Sequence, residues 1–150
     1  MKKYMESVEL ILKELGLNYK KSESGNILEV PFKTKENEKV DILFFIDEKI
    51  KYLKVLVPII ATFDFKKPGK LLYIINEYNK KIIYGGLAMR EYKNEILFIE
   101  YNHGMSLERG RNGQIFKGEV KEIISYINFL HTVIMKEITE EFEELVFHGK

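Results

Sequence analysis

From Gly118 to Val146 the apolar residues Val120, Ile123, Ile124, Ile127, Leu130, Ile134, Ile138, Phe142 and Leu145 recur every three or four positions. That is the spacing of one face of an α-helix, sustained for nearly thirty residues. Such a stripe has to be laid against a second apolar surface, because propensity alone does not hold a helix in water. The material for that surface lies mid-chain, where Val40 to Ile46 and Ile50 to Ile60 are dense in β-branched and aromatic residues around Asp47-Glu48-Lys49. These two runs read as a hairpin with a short loop. A helical stripe on a hairpin-built sheet is an α+β architecture. At about 1.5 Å per residue the terminal helix would reach roughly 40 Å, more than a domain of this size needs. Its far end is expected to project or to meet a second subunit, with Ile134, Ile138, Phe142 and Leu145 as interface residues.

The remaining elements follow from the same two periods. Tyr4, Met5, Val8, Ile11, Leu12 and Leu15 mark a first helix, which Gly16 can end in a left-handed conformation. Leu17 to Ser22 reads as a short strand, Ser24-Gly25-Asn26 as a turn, and Ile27 to Phe32 as a second strand. Pro31 places that strand at an edge or a bulge. Pro68 can open a short second helix through Leu71, Leu72, Ile74, Ile75 and Tyr78. Lys81 to Glu91 and Asn94 to Tyr101 form another strand pair, and Gly85-Gly86 within it predicts a bulge or a close backbone approach. Residues 102 to 114, with three glycines and little periodicity, read as the longest loop. The order is helix, antiparallel strands, helix, strand pair and long C-terminal helix, in a single domain spanning residues 1–150.

Composition narrows the partners. At 150 residues and 45% apolar content the chain can bury one continuous core. The 24 basic and 23 acidic side chains nearly cancel, so no global field draws nucleic acid or an anionic membrane. The absence of cysteine excludes disulfides, thiolate metal sites and a cysteine nucleophile. Charge in Met1-Lys2-Lys3-Tyr4-Met5-Glu6 interrupts what would be a secretory apolar region, and no later run approaches a membrane span. The expectation is a cytoplasmic protein without a membrane partner.

Two segments carry a resemblance. Leu72-Tyr73-Ile74-Ile75-Asn76-Glu77-Tyr78-Asn79 followed by Ile83-Tyr84-Gly85-Gly86-Leu87 is similar to the helix of YbjN-type domains that ends in Asn-x-x-Asn and leads into a strand. Leu15-Gly16-Leu17-Asn18-Tyr19, closing the first helix, resembles the opening of the same family, and the element order resembles the related type III secretion chaperone-like fold. The resemblance implies a non-enzymatic, homodimeric, chaperone-like or regulatory adaptor that holds partner segments in extended form. It names no partner.

Chemistry is sparse. His103, His131 and His148 never take the spacing that brings two imidazoles to one metal, so neither a metal nor another cofactor is expected. His131 falls on the apolar face of the last helix, as a core or interface histidine does. Glutamates 137, 140, 141, 143 and 144 read as a solvated face rather than as a catalytic pair, which needs enclosed and unequal environments. No phosphate-binding glycine loop, dinucleotide fingerprint or nucleophile elbow occurs, and no enzyme is expected.

What remains is the segment from 102 to 114. His103, Arg109 and Arg111, with Tyr101 and Asn102 nearby, could receive a small molecule or an anion, because guanidinium forks suit carboxylate or phosphate and glycine admits close approach. A plain surface loop accounts for the same residues. Lysines alternating with aromatics from Lys49 to Tyr52 and from Phe63 to Lys67 permit a third reading, nucleic-acid binding, although amphipathic strands produce the same alternation.

Overall fold

The computed structural model describes residues 3–34, 39–64, 68–82, 85–92, 96–109 and 117–147. The described elements are α1 (Lys3–Glu14), β1 (Lys20–Lys21), β2 (Ile27–Lys33), β3 (Lys39–Asp47), β4 (Tyr52–Asp64), α2 (Pro68–Asn79), β5 (Gly86–Tyr92), β6 (Ile96–Ser106), α3 (Lys117–Phe129) and α4 (Met135–Phe147). The strands form one antiparallel sheet in the order β1-β2-β3-β4-β6-β5. The α+β class and the order of elements are those expected from the periodicities.

Alternation along the strands decides the layering. In β3, Val40, Ile42, Phe44 and Ile46 are buried, while Asp41, Leu43, Phe45 and Asp47 between them are partly or fully exposed. Leu53, Val55 and Val57 of β4 and Leu97, Ile99 and Tyr101 of β6 join the same buried cluster as Met5, Val8 and Leu12 of α1 and Leu71 and Ile74 of α2. Val120, Ile123 and Ile127 of α3 belong to it too. The helices therefore cover one face of the sheet, and the alternate residues form the other, open face.

Local chemistry sets the ends. Gly16, at φ 72°, closes α1: its N–H donates to Lys13 at 3.0 Å and that of Leu17 to Leu12 at 2.9 Å, the paired bonds of a Schellman motif. The start of α1 is capped from a distance, since the Glu48 carboxylate accepts from the backbone N–H of Tyr4 at 3.1 Å and of Met5 at 2.8 Å. Asp47 organises the β3–β4 turn by accepting from the N–H of Lys49 and Ile50. β1 covers only Leu28 and Glu29 of β2, so Pro31 stands where β2 is itself the edge.

Two expectations change. Residues 102–106 are not loop: β6 runs on to Ser106, pairing Met105 with Leu53 and His103 with Val55, and a 3₁₀ turn follows over Leu107–Arg109. Burial of Met105 and Leu107 holds this extension on the sheet despite Gly104. Residues 110–116 lie outside the described residues.

The terminal helix does not project freely. A π turn over Leu130–Ile134 joins α3 to α4 and inserts a residue into the apolar stripe, so that Leu130, His131 and Met135 are all buried. Further on, Phe63 and Phe142 meet edge to face at 5.4 Å, and the Tyr78 hydroxyl donates to Glu137 at 3.2 Å. Ile138 and Phe142 are thus core residues of this chain, while Ile134 packs against the same core and remains partly exposed. Nothing is described of the Leu145 side chain.

Candidate functional site on the open sheet face

The open face has an apolar centre and a polar corner. Register places Ile27 opposite Phe45 and Leu43 opposite Leu56, four half-exposed side chains that belong to no helix-facing cluster. Next to them, where β4, β6 and β5 run side by side, lies a cleft of about 560 Å³. Tyr52 and Lys54 of β4 form one wall and Ala88 and Arg90 of β5 the other. Glu100, Asn102 and Gly104 of β6 lie between them, with Gly85 and His103 at the rim.

Backbone geometry shapes this corner. Between Val57 and Ala61 the β4–β6 register shifts, so that residues 58–60 stand against the single residue Glu100. Gly85, at φ 70°, comes so close to β6 that a Cβ there would sit 2.1 Å from the carbonyl oxygen of Asn102. The close approach expected at Gly85-Gly86 is therefore real. Asn79 explains why β5 begins there: its side-chain amide donates to the Leu87 carbonyl at 2.9 Å and accepts from the Leu87 N–H at 2.8 Å. The last residue of α2 thereby imitates a neighbouring strand at the edge of the sheet. Gly104 is open for a different reason, because the Tyr52 ring lies across it, the hydroxyl 2.1 Å from where a Cβ would stand.

The electrostatics centre on one buried carboxylate. The Glu100 side chain is only 5% exposed and accepts from Arg90 Nε, whereas the Arg90 side chain is 60% exposed. The pair is a diagonal one, since Arg90 faces Phe98 in register and Glu100 faces Ala88. Only the Nε edge of the guanidinium is used; its Nη groups have no partner among the described residues. Lys54 is exposed and likewise has none among them. On the opposite side of β6 the Tyr101 ring is fully buried, 6.5 Å from that of Tyr126, and burial pushes its phenol well above the usual tyrosine range.

Of the residues singled out from the sequence, His103 and Asn102 line this cleft. Tyr101 faces the helices instead, because neighbouring strand residues alternate faces. Arg109 ends the 3₁₀ turn with its side chain outside the described set, and Arg111 falls outside the described residues altogether. The structure thus does not bring His103, Arg109 and Arg111 together. Lys54, Arg90 and Glu100 were missed. Among the described residues no group of three histidine, cysteine or carboxylate side chains converges as a metal site would require, and no helix is long and apolar enough to cross a membrane.

No family model matches the chain, and no curated protein matches it in sequence. Among solved structures it is similar to the crystal structure of YbjN from E. coli, a protein provisionally named a transcription regulator. That match has a TM-score of 0.53 and 9% identity, over 96% of this chain and 92% of that one. The chain has a YbjN-like fold. In this chain the Asn79 clamp and Gly85 of the α2–β5 junction stand at the positions that carried the resemblance in sequence.

Proposed function

We propose that this chain is a non-enzymatic polypeptide-binding module, a chaperone-like or regulatory adaptor of the cytoplasm, which receives a partner segment on the open face of its sheet. One observation carries the reading: the pairs Ile27/Phe45 and Leu43/Leu56 form a half-exposed apolar strip in the middle of that face, left uncovered by the described helices. An uncovered strip of this kind, rimmed by charge, is the surface a polypeptide partner occupies. A polyanion is a poorer fit, because Glu29 and Asp41 share the face with Lys54 and Arg90.

As part of the same proposal the chain is a homodimer. Since Ile138 and Phe142 are core residues, the second copy is assigned to the exposed Phe129 and Val133, next to Tyr126, on the outer side of the terminal helix. Light scattering of the wild type and of a Phe129→Asp, Val133→Asp variant tests that assignment. A monomeric wild type removes it.

The binding face is tested by site-specific photo-cross-linking in source-cell lysate, with the photoreactive residue at Phe45 or, as a control, at exposed Lys13 on α1. The expected result is a discrete adduct from the Phe45 position that disappears when Leu56→Asp is added. Adducts formed equally from Lys13, or adducts indifferent to Leu56→Asp, would refute the open-face reading.

A further inference from the structure

The two edges of the sheet are finished differently. At one end β1 covers only Leu28 and Glu29, and Pro31 removes a donor where β2 is itself the edge. At the other end β5 runs 7 residues, from Gly86 to Tyr92, with neither a proline in it nor a described strand outside it. Asn79 reveals which of its backbone groups point outward. Because the Asn79 amide holds both the N–H and the carbonyl of Leu87, the Leu87–Tyr101 pair is one that exchanges no bonds between β5 and β6. The register to β6 is unbroken, so Met89 opposite Ile99 and Glu91 opposite Leu97 share that orientation. Their N–H and carbonyl groups face away from β6, and no described residue bonds to them. Asn79 thus fills the first rung of a ladder whose next two rungs the described residues leave unused.

Charge decides what can take those rungs. A second copy of β5 is a poor occupant in every antiparallel register that uses them. Pairing Met89 with Glu91 in both directions sets Arg90 directly against Arg90 of the other copy, and pairing Glu91 with itself sets two carboxylates together. Pairing Met89 with itself brings each Glu91 to a Leu87 whose groups Asn79 already holds. The side chains of β5 instead describe an unlike complement. Arg90, on the open face, uses only Nε on Glu100, so its Nη groups suit a carboxylate across the edge. Met89 is half-buried against the core and suits an aliphatic neighbour. Glu91 is exposed, has no ion pair among the described residues and suits a cation.

We propose that the outer edge of β5 accepts an extended segment of a partner polypeptide, added antiparallel as a further strand. In chain order the segment reads basic, acidic, aliphatic, set opposite Glu91, Arg90 and Met89. It exchanges a pair of backbone bonds with each of Glu91 and Met89, while its acidic side chain takes the Nη edge of Arg90. Asn79 ends the added strand, because the next outward groups, those of Leu87, are taken. The edge lies three strands away from Phe45 in the sheet, so this contact goes beyond the open-face reading and does not rest on it.

The test uses a synthetic strand. The ¹⁵N-labelled full chain is titrated with acetyl-Thr-Lys-Glu-Ile-Thr-amide and with the same peptide N-methylated either at Ile or at Glu. The expected result is a saturable downfield shift of the Met89 and Glu91 amide protons, with those of Ala88 and Arg90, already bonded to β6, moving less. Methylation at Ile, whose N–H faces Met89, should weaken binding roughly five- to tenfold, whereas methylation at Glu, whose N–H points away from β5, should change it by less than about twofold. On the protein, Glu91→Pro removes an outward donor without touching the bonds to β6, so binding is lost while the β6 amides keep their shifts. The methylated peptides decide the matter even if that variant fails to fold. Three results would each overturn the assignment: no saturable shift at Met89 and Glu91, equal losses from the two methylations, or a solution mass that falls with Glu91→Pro, which would put a second copy on this edge. Cross-linking from Phe45 is read separately, and its failure removes the open-face reading while leaving the edge.

Discussion

Asn79 ties the last turn of α2 to the first residue pair of β5, and removing its side chain tests whether this junction holds the edge of the sheet. The amide makes two bonds to Leu87, at 2.8 and 2.9 Å, and Leu87 is buried, so Asn79→Ala leaves a backbone donor and an acceptor unpaired near the core. An unsatisfied buried group costs about 1–3 kcal/mol, and these two are only partly shielded, so the expected loss is about 2–3 kcal/mol in total. For a chain of this size that lowers Tm by roughly 5–10 °C.

Asn79→Asp gives a sharper signature. Its carboxylate can still accept from the Leu87 N–H but opposes the Leu87 carbonyl, whereas its protonated form can donate there as the amide does. The folded state thus favours the neutral acid, and the variant's carboxyl titrates above its unfolded value. With the folded value raised, the stabilisation is complete below the unfolded pKa and is lost as pH rises through the folded one. Chemical denaturation at about pH 4 and about pH 7 should therefore show the deficit of Asn79→Asp relative to wild type shrinking in acid, while that of Asn79→Ala stays constant. Native-state hydrogen exchange at Leu87 should accelerate in both variants. A loss below about 0.5 kcal/mol for Asn79→Ala, or a pH-independent deficit for Asn79→Asp, would refute the clamp.

Three more outcomes follow from the geometry. Glu48→Ala should cost about 1–2 kcal/mol in urea unfolding by uncapping α1, with Glu48→Gln losing less, and a neutral Glu48→Ala would disprove the long-range cap. Gly104→Ala drives a methyl into the Tyr52 ring, so it should destabilise the wild type but much less a Tyr52→Ala background; a double-mutant cycle with coupling under about 0.5 kcal/mol would deny the contact. Burial works to raise the Glu9 carboxyl, yet hydrogen bonds from Lys21 and Tyr19 outweigh it and hold the group below its ordinary 4.5. The resulting stability is present above that value and fades as pH falls through the lower folded one, so Glu9→Gln should show a shallower loss of Tm below about pH 4.5, and parallel profiles would remove Glu9 as a source of acid lability.

How far the fold could be read from residues depends on which contacts are local. Helical and strand periods are local, and they placed the helices, the hairpin, the Gly16 stop and the edge position of Pro31. The cap on α1 was not legible, since Glu48 and the N–H groups that it accepts from are more than forty residues apart. The end of β6 was misread for a related reason. Gly104 and His103 break the alternation, and only the partners Lys54 and Val55 on β4 show that the strand continues beneath them. The length of the last helix suggested a free end because its stripe was counted without its counterpart, Phe63 on β4 and Tyr78 on α2.

The cleft itself was half legible, and the half that was missed is instructive. Once Leu87 and Met89 are assigned to the core together with Leu97, Ile99 and Tyr101, β5 and β6 must pair with these residues on one face, because a slip of a single residue would turn one set outward. That constraint alone puts Arg90 and Glu100 together on the opposite face, where a diagonal ion pair is within reach. A charged residue between apolar neighbours, as Glu100 is between Ile99 and Tyr101, was therefore a usable signal. Its burial was not, because that depends on the register shift in β4 opposite it, and Pro58 announces only that some irregularity is allowed there. Nor could Lys54 be placed, since the sheet order that sets β4 next to β6, with Arg90 and Lys54 flanking one strand, is a long-range choice. Local pattern thus pairs the guanidinium with the carboxylate that holds it, whereas only topology sets Lys54 on the far side of the same strand, opposite Gly104.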